Sequence, residues 1–151
     1  ATDDERIRDA FEHAKNMNVA YEYIIDDETR TNHPNTADIN IVGVNGHKLS
    51  VRGESIGGGK MKIVRIDNID VEFTGEYSTL IVHQQDKPGV VAHITQALSE
   101  YEVNIAFMRL FRETKGANAY TVVESDHPIP EAVLDQIRTN PNVDDLMLIQ
   151  L

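Results

Sequence analysis

The chain has 151 residues, of which 40% are hydrophobic and 26% are charged, a composition typical of a globular protein with one ordinary domain or two small ones. Its formal net charge of -11 argues against binding to nucleic acid or to anionic membranes, because such binding needs clustered Lys and Arg. Cysteine is absent, which excludes disulfides, a thiol nucleophile and any thiolate-held iron–sulfur or zinc site in this chain.

The cellular location is suggested by two further features. No segment is long and apolar enough to cross a bilayer. Ala1 to Arg6 are acidic and polar, unlike the basic flank and apolar run of a secretory signal. We therefore expect a cytoplasmic protein.

The first half of the chain predicts one helix followed by strands. Residues 2–17 begin with a capping-box pattern and repeat apolar side chains at helical spacing. Residues 19–25 alternate, which predicts a strand with one buried face. Two hairpins follow, around Asn45-Gly46 and around Asp67-Asn68, giving four or five strands in this half.

The second half has a different order, and we place a domain boundary between residues 75 and 76. Strands are predicted at 80–83, 103–112, 118–124 and 145–151, with helices at 88–101 and 130–138. The order β-α-β-β-α-β predicts a ferredoxin-like fold, with a four-stranded antiparallel sheet and both helices on one face. The fold class of the chain is therefore α+β, with a mixed α/β first domain.

A candidate ligand loop, Asp86 to Val90, lies between a strand and the start of a helix. Free amide groups and the helix dipole favour a bound carboxylate there, and Gly89 would let a ligand approach the backbone. Asn104 opens the next strand and is expected beside this loop, where its amide would suit a zwitterionic amino acid. A plain tight turn with a strand-end Asn is the competing interpretation.

Two further segments in the first half are candidate binding sites. The run Glu54 to Lys60 contains Ser55, Gly57, Gly58 and Gly59, whose amides could surround an anion, although a flexible strand connection fits as well. His33, Asn35 and Thr36 lie in a proline-containing loop, where binding residues are often found but where ordinary turns occur too.

We expect no metal site and no catalytic residue in this chain. The other histidines are scattered and none shows the His-Glu-x-x-His spacing of a zinc site. Acidic runs such as Asp26-Asp27-Glu28 are more often solvated loops than catalytic pairs.

The segment Tyr77 to Leu151, through its Asp86-Lys87-Pro88-Gly89-Val90 loop and Val103-Asn104-Ile105-Ala106, resembles the ACT family of amino-acid-sensing domains. The resemblance implies an ACT domain over residues 76–151 and an association of two copies through it. It also implies which residues hold the effector, namely Gln84, Asp86 and Asn104, and Gly89 joins them because it would let a ligand approach the backbone. Asp86 stands where one branch of the family has an amide, and a carboxylate there would repel the carboxylate of serine.

The His33 to Thr36 and Ser55 to Gly59 segments ahead of an ACT domain resemble the beta subunits of bacterial iron–sulfur-dependent L-serine dehydratases. Residues 1–75 would then be part of an allosteric substrate-binding domain, shared with some phosphoglycerate dehydrogenases. The implied reaction converts L-serine to pyruvate and ammonia on a [4Fe-4S] cluster held by a cysteine-bearing alpha subunit. The upstream Gly-Pro-Ser-Ser-Ser-His-Thr segment of the family is missing, so we expect an N-terminally truncated chain that is inactive alone.

The resemblance also assigns a site to the first domain. L-serine or a related small anion would contact the imidazole, amide and hydroxyl groups of His33, Asn35, Thr36, Ser55, Gly57, Gly58 and Gly59. A rival hypothesis is an amino-acid-binding regulatory module of another enzyme, such as a phosphoglycerate dehydrogenase, although no Gly-x-Gly-x-x-Gly pattern occurs. A structural fragment that dimerises through sheet edges is the third hypothesis.

Overall fold

The computed structural model describes residues 4–112 and 114–150, which fall into two compact units, Ala1–Pro34 and Asn35–Leu151. The second unit contains all eight strands assigned to these residues and two of the α-helices. The predicted boundary after residue 75 falls in the connection between the fourth and fifth strands. That the parts on either side of it are separate domains stays a prediction.

The first unit is helical at its start. A short 3-10 helix, Glu5–Asp9, leads into α1, Ala10–Asn16. The helix start is capped by Asp4, whose carboxylate accepts a hydrogen bond from the Arg6 amide at 3.0 Å. The Thr2 of the expected capping box lies outside the described residues. None of the residues in these two helical segments is buried.

The strand predicted at residues 19–25 is wrong. These residues have no regular secondary structure, and Tyr21 and Tyr23 are 55% and 76% exposed. A strand needs the backbone of a neighbour, and within the described part of this unit no other strand is present to provide one. The alternation instead gives an aromatic cluster of Phe11, Tyr21 and Tyr23, with ring centroids 5.1 to 6.1 Å apart.

The second unit begins with a four-stranded antiparallel sheet in which each strand pairs with the next in the chain. Both predicted hairpins are confirmed. Their turns need the left-handed backbone that Asn-Gly and Asp-Asn sequences tolerate, with φ of 80° at Gly46 and 50° at Asp67. The strands are β1 Thr36–Val42, β2 Lys48–Gly57, β3 Lys60–Ile66 and β4 Ile69–Phe73.

The predicted β-α-β-β-α-β order of the remaining chain is confirmed. The second sheet is antiparallel with strand order β6-β7-β5-β8. Only the strand predicted at 103–112 is shorter, because it begins at Phe107. The elements are β5 Ser78–Gln85, α2 Val90–Glu100, β6 Phe107–Arg112, β7 Asn118–Ser125, α3 Glu131–Arg138 and β8 Val143–Ile149.

The second sheet is covered on both faces. Leu80 and Val82 of β5 face one way and pack with α2 and α3. Ile81 faces the other way and packs against Ile66 and Phe73 of the first sheet. The unit therefore has three layers, with the central sheet between the two helices and the first sheet. β5 contributes to both cores because successive side chains of a strand point to opposite faces.

No helix in the described ranges has the length and apolar character of a bilayer span. The longest of them, α2, has 11 residues, whereas a transmembrane helix needs about 20 apolar residues.

Candidate functional site

Seven residues in the first half of the chain are predicted to bind L-serine or a related anion. The structure brings three of them, Asn35, Thr36 and Ser55, to one end of the first sheet. The backbone carbonyl of Asn35 accepts a hydrogen bond from the Ser55 amide at 2.9 Å. The next residue, Thr36, lies directly opposite Glu54 in the β1–β2 pairing. An Asn, a Thr and a Ser that are about 20 positions apart in the chain are thus neighbours. That they bind an anion together stays a prediction.

The glycine run lies beside them, in the hairpin turn between β2 and β3. Gly57 pairs with Lys60, so Gly58 and Gly59 are the two central residues of the turn, with φ of 63° and 75°. A two-residue hairpin turn of this kind requires positive φ at both positions, which explains both glycines without a ligand. Lys60, the expected counter-charge for an anion, is paired instead with Glu76 at 2.9 Å.

A buried carboxylate at this end of the sheet was missed by the sequence analysis. Glu54 is only 8% exposed, and its Oε2 atom lies 4.0 Å from the Nζ atom of Lys62. The same amine lies 3.9 Å from Glu72. The irregular pairing of β2 with β3 sets the register that places Glu54 opposite Lys62, and no local sequence pattern predicts that register.

His33 belongs to the other compact unit, Ala1–Pro34. It is half-buried, and its backbone carbonyl accepts a hydrogen bond from the Thr31 hydroxyl at 2.6 Å. The loop that carries it is therefore held by a local side-chain to backbone bond of the kind common in turns. That its imidazole contacts a ligand carboxylate stays a prediction.

Among the residues predicted to hold an effector in the second half of the chain, Asp86 is held by the end of β6 and by the turn that follows it. Its carboxylate accepts hydrogen bonds from the Gly116 amide at 2.9 Å and from Arg112 at 3.2 Å. These bonds, first that of Gly116 and then that of Arg112, lower the pKa of the Asp86 carboxyl group. Because its charge is already compensated inside the chain, Asp86 repels an incoming carboxylate less than an unpaired carboxylate would.

Gln84, near the end of β5, and Gly89, in the loop that follows, also have structural roles. Gln84 is 1% exposed, and its Oε1 atom accepts a hydrogen bond from the Thr121 hydroxyl at 3.1 Å. Gly89 precedes α2 with a φ of 90°, a conformation that favours glycine, and apart from its two chain neighbours no residue has an atom within 4 Å of where a Cβ would stand. The space beside Gly89 is open to a ligand, whereas the side-chain oxygen of Gln84 already accepts a hydrogen bond.

The expected position of Asn104 beside this loop is wrong. Its amide donates to Asp126 at 3.2 Å, just beyond the end of β7. That end of β7 pairs with Ser78, whereas the loop follows Gln85 at the opposite end of β5. At about 3.3 Å per strand residue, the two places are roughly 20 Å apart within one chain. The error arose because β6 starts where α2 has returned the chain to the far end of the sheet.

We expect the Arg112→Gln variant to raise the pKa of the Asp86 carboxyl group, while leaving it below its ordinary value. The hydrogen bond from the Gly116 amide, which lowers the pKa most, survives the change. Because folding lowers the pKa of Asp86 in the wild type, its carboxylate stabilises the fold at pH values above the pKa of the unfolded state. This stabilisation is lost as the pH falls through the lower pKa of the folded state.

The pKa can be measured by NMR titration of the Asp86 side-chain carbon in both proteins. The control is Arg138→Gln, which removes an exposed Arg of α3 that pairs with Asp135 and should leave Asp86 unchanged. An Asp86 pKa that is the same in wild type and Arg112→Gln would contradict the assignment.

The donor set of the chain does not suit an iron–sulfur cluster, since it has no cysteine. Across residues 4–112 and 114–150, no group of three or more His, Asp or Glu side chains is placed to hold a metal ion. The chemistry available at both candidate sites is therefore hydrogen bonding and charge.

Comparison with known proteins gives the following relationships. Residues 78–142 match the ACT domain family. The chain is 32% identical over 142 residues to a probable L-serine dehydratase beta chain of Bacillus subtilis, covering 94% of this chain and 64% of that protein. It is 37% identical over 136 residues to the L-serine dehydratase beta chain of Peptoniphilus asaccharolyticus, covering 89% of this chain and 61% of that protein.

A second class of relatives shares less of the chain. A D-3-phosphoglycerate dehydrogenase of Methanocaldococcus jannaschii is 32% identical over 104 residues, covering 69% of this chain and 20% of that enzyme. The chain thus spans about three-fifths of the two beta chains and one-fifth of the dehydrogenase.

Proposed function

We propose that this chain, which carries an ACT domain and is related along about nine-tenths of its length to two L-serine dehydratase beta chains, is part of an L-serine dehydratase. The enzyme would convert L-serine to pyruvate and ammonia. The observation that carries the proposal is the extent of this relationship, which includes both the first sheet and the ACT domain.

The proposal assigns the cofactor and the reacting atoms to a partner. A cysteine-bearing alpha subunit would hold a [4Fe-4S] cluster, whose iron would act as a Lewis acid on the serine hydroxyl. The absence of cysteine from this chain supports that division of labour. No residue of the present chain is proposed as catalytic.

The role of this chain would be to bind and to regulate. Asn35, Thr36 and Ser55 offer amide and hydroxyl groups at one end of the first sheet, next to the turn at Gly58 and Gly59. Such donors suit the carboxylate of L-serine or a related small anion. The buried Glu54 beside them is only loosely paired with Lys62, at 4.0 Å, so it would attract the ammonium group of a zwitterion and favour it over a highly charged anion.

An ACT-mediated homodimer is also part of the proposal, and the fold limits how it can form. The second sheet, with strand order β6-β7-β5-β8, is the ACT sheet, and its face opposite the helices packs against the first sheet. The edges at β6 and β8 are therefore the remaining places for sheet pairing. Antiparallel pairing of two β6 strands would place Asn104 of one copy near the Asp86 loop of its partner. The separation of these residues within one chain is thereby explained.

The rival is a regulatory module of another enzyme, supported by the similarity to D-3-phosphoglycerate dehydrogenases. That similarity covers less of this chain than the similarity to the beta chains, which makes it the weaker hypothesis. The two hypotheses differ in whether this chain assembles with a cluster-bearing protein.

The deciding experiment is co-expression of this chain with the alpha chain from the same organism, followed by anaerobic purification and a pyruvate assay. We expect a stable complex that forms pyruvate from L-serine but not from D-serine. Asn35→Ala should lower kcat/KM about tenfold to hundredfold, since a lost hydrogen bond to a charged group costs roughly 1.5 to 3 kcal/mol. The matched control, Asn40→Ala in the exposed middle of β1, should stay within about twofold.

Two results would contradict the proposal. One is purification of the two chains separately, with full activity in the alpha chain alone. The other is an active complex in which Asn35→Ala and Asn40→Ala behave alike, which would remove the binding role from this end of the sheet. If this chain binds serine but does not assemble with the alpha chain, the rival hypothesis is favoured.

A further inference from the structure

A cleft of about 550 Å³ opens between the first sheet and the ACT sheet, within the Asn35–Leu151 unit. Its size lies in the range of small-molecule sites. The floor is apolar and comes from four strands of the two sheets, with Leu49, Ile66, Ile81 and Met147. Neither group of predicted site residues lines it.

One wall of the cleft is a fixed polar network. The Tyr120 ring stacks on His83 with centroids 4.8 Å apart, and its hydroxyl donates to Asp67 at 3.0 Å. The other oxygen of Asp67 accepts the Ser50 amide at 3.0 Å. Burial, followed by the Asp67 contact, raises the pKa of Tyr120, so the phenol stays a donor at neutral pH. This wall is therefore formed before any ligand arrives.

The rim of the cleft is acidic. Asp144 and Asp145 at the start of β8 are exposed there, and of the described residues that line the cleft none is Lys or Arg. Other carboxylates of the same unit are compensated, as Asp38 is by Arg52 at 2.6 Å and Glu72 by Arg109 at 3.0 Å. Asp145 accepts a hydrogen bond from the Leu146 amide at 2.8 Å, but among the described lining residues no Lys or Arg faces either carboxylate. The cleft thus combines an apolar floor with an acidic rim.

We propose that this cleft binds a small organic cation, with its ammonium group at Asp144 and Asp145 and an apolar chain on Ile66, Ile81 and Met147. The carboxylates attract the positive charge of the ligand. The apolar chain of the ligand removes the apolar surface of the floor from water, which favours binding. Because His83 and Gln84 are consecutive on β5, this ligand lies on the opposite face of the strand from Gln84. The proposal does not depend on the lyase activity.

The test uses three probes with the same four-carbon chain, namely butylamine, butanol and butyrate, in calorimetric titrations of the full chain at low salt. Butylamine should bind in the millimolar range, and butanol and butyrate at least about fivefold more weakly. Raising the salt concentration should weaken only the butylamine affinity, because the charges are near the surface.

The variant Asp144→Asn/Asp145→Asn should lower the butylamine affinity about fivefold or more. The matched control Glu131→Gln/Asp135→Asn removes the same two charges from exposed positions on α3 and should leave the affinity unchanged. All four positions are exposed, so both variants should keep the wild-type Tm within a few degrees. The proposal would be overturned if the three probes bound equally or if butylamine did not bind at about 20 mM. It would also be overturned if both variants lost the same butylamine affinity.

Discussion

Replacing Leu80 with Ala should lower the free energy of unfolding of the Asn35–Leu151 unit by about 3 to 4 kcal/mol. Leu80 of β5 is fully buried and packs among residues of α2 and α3. Large-to-small changes at such positions cost both the transfer free energy of the lost groups and the cavity they leave. The strand also pairs with both β7 and β8, so distortion there is transmitted to the whole ACT sheet.

Urea unfolding followed by circular dichroism gives the change in stability. The matched control is Leu110→Ala on the edge strand β6, where the side chain is 44% exposed and the cost should be below about 1 kcal/mol. Tryptophan probes placed in turn at exposed positions of each sheet would show whether both layers unfold in one transition. Similar losses for the two Leu variants would refute the packing of Leu80 against α2 and α3.

The variant Thr121→Val should cost about 1 to 3 kcal/mol, although it conserves shape. It leaves the Oε1 atom of the buried Gln84 without the hydroxyl that now donates to it at 3.1 Å. A buried polar group without a partner carries the full cost of losing its water, which exceeds the net value of an ordinary hydrogen bond. Replacing both members, as Gln84→Leu/Thr121→Val, should therefore be less destabilising than Thr121→Val alone.

A control for this prediction is Thr95→Val on α2. The Thr95 hydroxyl bonds to carbonyls of its own helix, at 3.0 and 3.1 Å, and these carbonyls keep their helical partners when it is lost. We expect a change within about 0.5 kcal/mol. Thermal or urea unfolding of the wild type, Gln84→Leu, Thr121→Val and the double variant completes a double-mutant cycle, and additive effects at positions 84 and 121 would argue against the bond.

Several elements of the fold could be predicted because their signals are local. Asn45-Gly46 and Asp67-Asn68 specify tight turns through the backbone conformations they tolerate, and both hairpins form there. The alternation of residues 19–25 is equally local, yet no strand forms. A strand exists only when a neighbouring backbone accepts its hydrogen bonds, and periodicity carries no information about that neighbour.

The candidate sites were predicted less completely than the elements that carry them. Asn35 and Ser55 do lie together, since the hairpin pairing of β1 and β2 follows from its turn. Asn104 was misplaced, because its nearness to Asp86 was read from the order of elements rather than from the path of α2 across the sheet. The partners of Asp86 and Gln84 stand 26 to 37 positions away in the chain and had no local signal.

The sequence by itself determined the order of helices and strands in the ACT domain, the positions of the hairpin turns and the lack of thiol ligands, since these depend on neighbouring residues or on composition. Only the tertiary structure decided that the first sheet covers the open face of the ACT sheet and that Asp86 is neutralised by Arg112. It also decided that an acidic cleft lies between the layers. These features depend on register and packing between distant segments, which are selected by the burial of whole faces and not by any local pattern.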